Sequence, residues 1–236
     1  MKKLLSVSIA TFALAAVAAY TPTTIGVTKI TTTEKSTIVP VAFKSLATGN
    51  SIAVKDLVKA ANLPSGTMLY VYNGSTYSAY QNGNGTWSGV AVVEKIDGVN
   101  TASAGDPTLT LNAGSAVWIV LATKPETSQD IYIYGAYATG ITSTAEAGVS
   151  TLVANPLQSR ATISIDGLTA GDAILVPKGD ATDPDRYVCL KIENGVPTWK
   201  KSRQTVSLPT FGVGEGFWYV SAAKSGSATI TWTAAQ

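Results

Sequence analysis

The sequence predicts an all-β protein made of two tandem, related, small antiparallel modules of sandwich or barrel type, with one short helix in the first. Three observations predict it. Short runs rich in Val, Ile, Thr and Tyr alternate with clusters of Gly, Asn, Asp and Pro at spacings of roughly 8 to 12 residues, the pattern of sandwiches and barrels. Asn73-Gly74 lies directly between two such runs, 67–72 and 76–80, and is a strong hairpin signal. A set of landmarks in the first half of the chain returns in the same order in the second, which is the signature of a duplicated unit.

The chain has 236 residues, enough for one large or two ordinary domains. It opens with Met1-Lys2-Lys3, an apolar stretch from Leu4 to Ala15 and the small residues Ala16-Val17-Ala18-Ala19. Positive head, short apolar run and small-residue site predict a secretory signal peptide over 1–19, cleaved after Ala18 or Ala19. The apolar run is shorter than the ~20 residues that a membrane span needs. No Cys stands at the cleavage point and residues 229–236 form no apolar tail, so the mature chain is expected to be exported, without a membrane span, to periplasm, cell surface or medium.

Beyond the leader, residues 25–30 and 36–43 read as strands, Pro40 placing the second at an edge or bend. Val54, Leu57, Val58 and Ala61 recur at helical spacing behind Asn50-Ser51 and predict a helix over 52–61, stopped by Asn62-Leu63-Pro64. Strand runs follow at 67–72 and 76–80, then the turn cluster Asn82-Gly83-Asn84-Gly85, Trp87 and a strand-like run at 90–93. A long small-residue loop is expected over 97–107. The Gly114 turn, the Trp118 strand and a strand at 131–134 close the half.

The pattern then begins again. Ser150-Thr151-Leu152-Val153 answers Ser36-Thr37-Ile38-Val39, and residues 171–176 answer 66–71. Tyr187 through Asn194-Gly195 to Trp199 answers Tyr77 through Asn84-Gly85 to Trp87. Gly214 with Trp218 answers Gly114 with Trp118, and residues 228–232 answer 130–134. The offsets lie between about 98 and 114 residues. No helix is expected in the second copy, where residues 160–165 alternate as a strand. The Gly/Ser/Thr/Ala stretch near 140–148 reads as a linker or connecting strand, giving module boundaries of 20–140 and 141–236.

Asn155-Pro156 and Gly214-Glu215-Gly216-Phe217, with a Tyr and a Trp between them, resemble modules of uncharacterised exported proteins of environmental bacteria. Those modules open on a phrase similar to "isnPf" and close on one similar to "pGeGFf". Residues 150–220 carry the resemblance; the first half departs from it, with Val41-Ala42 at the Asn-Pro position and Ser115-Ala116 at the Glu-Gly position. The resemblance implies architecture and no activity.

Composition removes much chemistry. The chain has no His, the commonest general base and metal ligand, which excludes Ser-His-Asp and Cys-His constellations. Its single Cys189 permits neither an intramolecular disulfide nor a thiolate cage, and its alternating setting predicts a packed, inert thiol. Without Lys2 and Lys3, Lys plus Arg falls from 17 to 15 against 15 Asp plus Glu, so the mature chain is formally neutral. Such a chain has no basic footprint for nucleic acid. The glycines of 212–216 lead into a strand, not a helix, and offer no phosphate site. No cofactor is expected.

Three candidate sites remain. Glu215 stands beside an aromatic strand, in a turn whose counterpart has Ser115. Asp180, Asp183 and Asp185 cluster three carboxylates in one loop, of the type that calcium takes, without an EF-hand spacing. Trp118, Trp218, Trp87 and Trp199 recur at matching landmarks and are expected in cores; as the alternative, Trp87 and Trp199, with Tyr77, Tyr80 and Tyr187, follow turn clusters and could stack on sugar rings. The chain therefore reads as a non-enzymatic, exported structural or cell-surface protein that self-associates or meets surface glycans; the alternative is a carbohydrate-binding β-module protein.

Overall fold

A computed structural model describes residues 25–45, 51–93, 102–137, 141–178 and 184–235. The expected leader at 1–19 and the carboxylates of Asp180 and Asp183 lie outside the described residues. The β-branched and aromatic runs form strands almost throughout. Residues 25–137 contain β1 (Ile25–Thr32), β2 (Ser36–Pro40), β3 (Phe43–Lys44), β4 (Ser51–Ala53), the single helical turn α1 (Val54–Leu57), a 3-10 turn (Ala60–Asn62), β5 (Met68–Tyr72), β6 (Tyr77–Gly83), β7 (Thr86–Gly89), β8 (Ala102–Ala104), β9 (Thr110–Asn112), β10 (Ala116–Val120) and β11 (Gln129–Tyr137). Residues 141–235 contain β12 (Thr142–Glu146), β13 (Ser150–Ala154), β14 (Ala161–Asp166), β15 (Ala173–Val176), β16 (Asp185–Glu193), β17 (Val196–Lys201), β18 (Gln204–Val206), β19 (Gly216–Val220) and β20 (Ser227–Ala234).

In the first half a sheet of order β2-β10-β5-β6-β7, with β8 parallel to β6, packs against a sheet of order β1-β11-β3; β4 and β9 form a separate pair. In the second half the orders are β13-β19-β15-β16-β17-β18 and β12-β20-β14. Apart from β8, every strand pair is antiparallel. Registers run in step. Val117 faces Val39 and Phe217 faces Val153; Ile119 faces Leu69 and Tyr219 faces Ile174. Leu69 faces Tyr80 and Ile174 faces Tyr187, while Trp87 faces Asn82 and Trp199 faces Cys189.

The register places Tyr80, not Tyr77, where the second half has Tyr187. The expected match of 228–232 to 130–134 is likewise out of phase. Ile131 and Ile133 are buried, whereas Thr229 and Thr231 are only half-buried and Ala228, Ile230 and Trp232 turn inward. Successive strand residues point to opposite faces, so a one-residue slip would invert every side chain.

Alternation also decides which aromatics form the cores. Val117, Ile119, Phe217 and Tyr219 are fully buried between the sheets, each worth about 1.5 to 3 kcal/mol in the transfer of a large apolar side chain from water. Trp118 and Trp218 have the opposite parity and point outward, half-buried, which corrects their expected place in the cores. Asn84 and Asn194 carry positive φ, as do Gly85 and Gly195. This is the type I′ turn that two-residue hairpins prefer. Asn73-Gly74 begins a four-residue loop instead, closed by Asn73 Oδ1, which accepts from the amides of Ser75 and Thr76.

The helix predicted over 52–61 is reduced to α1 and the 3-10 turn. Val54, Leu57 and Val58 are buried, as the spacing requires, but Ala61 is exposed and Ala60 buried. Ile52 is drawn into a ladder opposite Leu111, and Val58 is extended and bridges Ile133. Two β-branched residues thus leave helical geometry for sheet pairing. The loop expected over 97–107 contains β8, and the strand-like run at 90–93 contributes only a bridge, Val92 to Ala102. Small residues make this route possible: a Cβ on Gly105 would come within 2.2 Å of the Tyr80 ring. No helix among the described residues is long and apolar enough to cross a membrane.

Candidate functional site

The two halves meet through the outward faces of β10 and β19 and the edges β2 and β13. Trp118 and Trp218 flank a small apolar cluster with Ile38, Ala116, Leu152 and Ala154. Glycine turns let the backbones approach. A Cβ on Gly114 would lie 2.4 Å from the Thr142 carbonyl oxygen, and one on Gly214 would lie 2.8 Å from Ile30 Cδ1. Ser143 Oγ donates to the Gly114 carbonyl at 2.6 Å, and Gln158 Nε2 donates to Thr28 Oγ1.

The β5–β6 hairpin leans on this junction and builds the aromatic cleft of the molecule. Tyr72 and Tyr77 are a cross-strand pair at the base of the Asn73 loop, with ring centroids 5.0 Å apart. Trp218 meets Tyr72 edge-on at 5.0 Å and Tyr77 at 6.3 Å, and Trp118 lies 6.5 Å from Tyr77. Such pairs contribute about 0.5 to 1.5 kcal/mol each beyond the area they bury. Tyr72, Tyr77 and Trp218, with the hydroxyl-bearing Ser75, Thr76 and Ser150, line an open cleft of about 370 Å³. A second cavity of about 420 Å³ lies between the halves beside Asn112 and Thr144. Burial, and then the neighbouring Tyr72, push the Tyr77 hydroxyl up to about 12. It therefore remains a neutral hydrogen-bond donor at physiological pH.

The sequence candidates fall in different places. Tyr77 lies in the cleft. Trp87 is buried and donates its indole N–H to the Val58 carbonyl at 2.8 Å, Trp199 is buried in the second core, and Tyr187 packs beside it with the Lys201 ammonium 5.4 Å above its ring. None of these three offers a free face for a sugar. Tyr80 is fully buried and donates to the Asp106 carbonyl. Nothing in the chain order marks Tyr72 and Trp218 as neighbours; the only sequence signal for Tyr72 is its place beside a hairpin turn.

Glu215, Asp185 and Asp172 are each engaged by local structure. Glu215 accepts from the Gly212 amide at 2.6 Å and closes its own turn; Ser115 Oγ performs the corresponding task by donating to the Asn112 carbonyl. Asp185 binds the ammonium groups of Lys201 and Lys178, at 2.5 and 3.0 Å, which hold its carboxyl below the usual range. Asp172 is fully buried and accepts from the amides of Thr169 and Ala222 and from the Tyr219 hydroxyl. Burial and then this bond push the Tyr219 hydroxyl up. Cys189 is fully buried and its thiol is pushed up by burial and then by Asp172, the setting of an unreactive cysteine. Among the described residues no group of three or more Cys, Asp or Glu could hold a metal ion.

No family model matches the chain, and no significant match is found among curated proteins or solved structures.

Proposed function

We propose that the chain is a non-enzymatic structural protein, exported through a signal peptide at 1–19 and built from two copies of one β-module over 20–140 and 141–236, that serves in a cell-surface or extracellular assembly. The observation that carries the two-module reading is the matched register. The strand orders β2-β10-β5-β6-β7 and β13-β19-β15-β16-β17 coincide position by position, down to Asn-Gly hairpin tips and the Trp on the outer face. A structural role is supported by the use made of three carboxylates: Glu215 closes a turn, Asp185 pairs with lysines and Asp172 knits a buried network. Fractionation of producing cells, with electron microscopy and N-terminal sequencing, tests the proposal. The expected result is a chain beginning near Tyr20 and recovered in surface-bound or assembled material; a dispersed monomer in the medium, or a retained leader, would overturn it.

A carbohydrate-binding role is the second reading, and the cleft favours it. Tyr72, Tyr77 and Trp218 supply ring edges and faces, and Ser75, Thr76 and Ser150 supply hydroxyls, the pairing of apolar wall and polar group that small-ligand sites use. A glycan array that retains the wild-type chain and loses it on Trp218→Ala supports that reading, and an array with no retention excludes it.

A further inference from the structure

Asn-Gly pairs occur at 73–74, 82–83, 84–85 and 194–195 among the described residues, and their surroundings differ in a way that bears on chemistry. An Asn-Gly bond closes to a succinimide when the glycine amide nitrogen reaches the carboxamide carbon, which requires both groups to be unengaged. Asn73 Oδ1 is held by the amides of Ser75 and Thr76 and by the Ser75 hydroxyl. The Asn82 amide group donates to the carbonyls of Ala60, Leu63 and Pro64. At the third pair the Gly85 N–H donates to Asn82 Oδ1 at 2.9 Å, and the turn rests on Ala61.

The fourth pair has no such protection. Position 189, which faces Trp199 as Asn82 faces Trp87, holds a cysteine that cannot reach the tip. A bulge after Cys189 and the pairs Lys191–Thr198, Ile192–Pro197 and Glu193–Val196 also carry the turn away from the core. Asn194 and Gly195 are exposed, both at positive φ, with nothing within 4 Å of a Cβ on Gly195. In a type I′ loop the second residue's N–H stands outside the ladder.

We infer that Asn194 is a site of spontaneous succinimide formation and deamidation, and that the otherwise equivalent Asn84 is protected. The Gly195 nitrogen bonds to Asn194 Cγ while the Cγ–Nδ2 bond breaks, and ammonia leaves with the proton of the backbone amide. Water then opens the imide at either carbonyl. One opening leaves an aspartyl residue at 194; the other leaves an isoaspartyl residue, with the main chain lengthened by one carbon. Both add a negative charge beside Glu193, whose carboxylate is 2.8 Å from Lys191 Nζ. The isoaspartyl form also breaks the two-residue turn that sets the β16–β17 register.

The test is peptide mapping of the full-length mature protein after incubation at mildly alkaline pH, with isoaspartyl methyltransferase labelling and hydroxylamine trapping of the imide. The expected result is conversion at Asn194 at least about tenfold faster than at Asn84 or Asn73, corresponding to a barrier lower by about 1.4 kcal/mol. The acidic species should be absent in Asn194→Gln, an exposed substitution. Conversion of Asn84 or Asn73 as fast as Asn194, an intact Asn194, or an acidic species that persists in Asn194→Gln would overturn the inference.

Discussion

The floor of each large sheet contains the same backbone arrangement built with different side chains. In the first half the Gly66 N–H donates to the Asn82 carbonyl and the Asn82 N–H to the Thr67 carbonyl; in the second, Gly171 donates to Cys189 and Cys189 to Asp172. The lengths agree to within 0.1 Å. Around this frame the first half adds α1 and the 3-10 turn, and the Asn82 amide ties down the 3-10 turn. The second half has no helix there and fills the place of Asn82 with Cys189. It ties its own loops together through Asp172, which gathers Thr169, Ala222 and the Tyr219 hydroxyl. The comparison teaches that the same backbone pairing can be kept while the buried polar anchor stands on β6 in one half and just before β15 in the other, provided its hydrogen bonds are met.

The largest expected effect breaks this comparison at its anchor. Asp172→Ala leaves the buried Tyr219 hydroxyl and two part-buried amides without a partner, and is expected to cost about 3 kcal/mol, the upper end for stranded hydrogen-bonding groups. The corresponding Thr67→Ala should cost about 1 kcal/mol or less, because the buried methyl it loses is offset by removal of a buried hydroxyl that has no hydrogen-bond partner. Urea unfolding followed by circular dichroism measures both, and equal losses would show that the two positions are not used differently.

The junction comes next. Gly114→Ala sets a Cβ against backbone at Thr142, at φ +94°, whereas Gly214→Ala meets the movable end of Ile30 at φ +78°. Overpacking costs about 1 to 3 kcal/mol; the first substitution should fall at the upper end and the second at the lower, in the same unfolding assay. Asn82→Ala follows at about 1 to 3 kcal/mol, from stranded carbonyls, and Cys189→Ala at about 1 kcal/mol, from lost apolar volume.

The smallest effect is acid sensitivity. Thr108 hydrogen bonds hold the Asp106 carboxyl below its usual range, a Thr31 hydrogen bond does so for Asp130, and Lys201 does so for Asp185. A depressed folded-state value means that the stabilisation is complete above the unfolded carboxylate value of about 3.9 and is lost as pH falls through the lower folded value. Stability should therefore be flat above about pH 5 and decline below about pH 4. Asp185→Asn should flatten part of that decline, and an unchanged acid limb would deny the ion pairs any role.

The strands were legible because β-branched and aromatic runs are bounded by turn residues with a definite geometry; the Asn-Gly hairpins at 84–85 and 194–195 are the clearest cases. The predicted helix is longer than α1 because its ends satisfy strand pairing as well as helical spacing: Ile52 pairs with Leu111 and Val58 with Ile133, leaving only Val54–Leu57 helical. The β8 strand gives no signal because Ala102-Ser103-Ala104 have little β propensity, while the Gly105 that follows is the residue that must be small beside the Tyr80 ring. The site was half legible. Tyr77 stands out beside a turn, but its partners Trp118 and Trp218 become outward-facing only once β10 and β19 are placed in register, and Tyr72 meets Trp218 only when the halves dock. Tyr77 and Tyr80 also sit three apart on opposite faces of one strand, so order alone could not say which corresponds to Tyr187.

Residue-resolved amide hydrogen exchange on the full chain tests the matched register most directly. β10 and β19 are each flanked by two strands, so the slowest amides should fall within 116–120 and 216–220, with the same alternation of protection at positions 100 residues apart. Protection in one of these strands with free exchange in the other, or patterns out of step by one residue, would contradict the account.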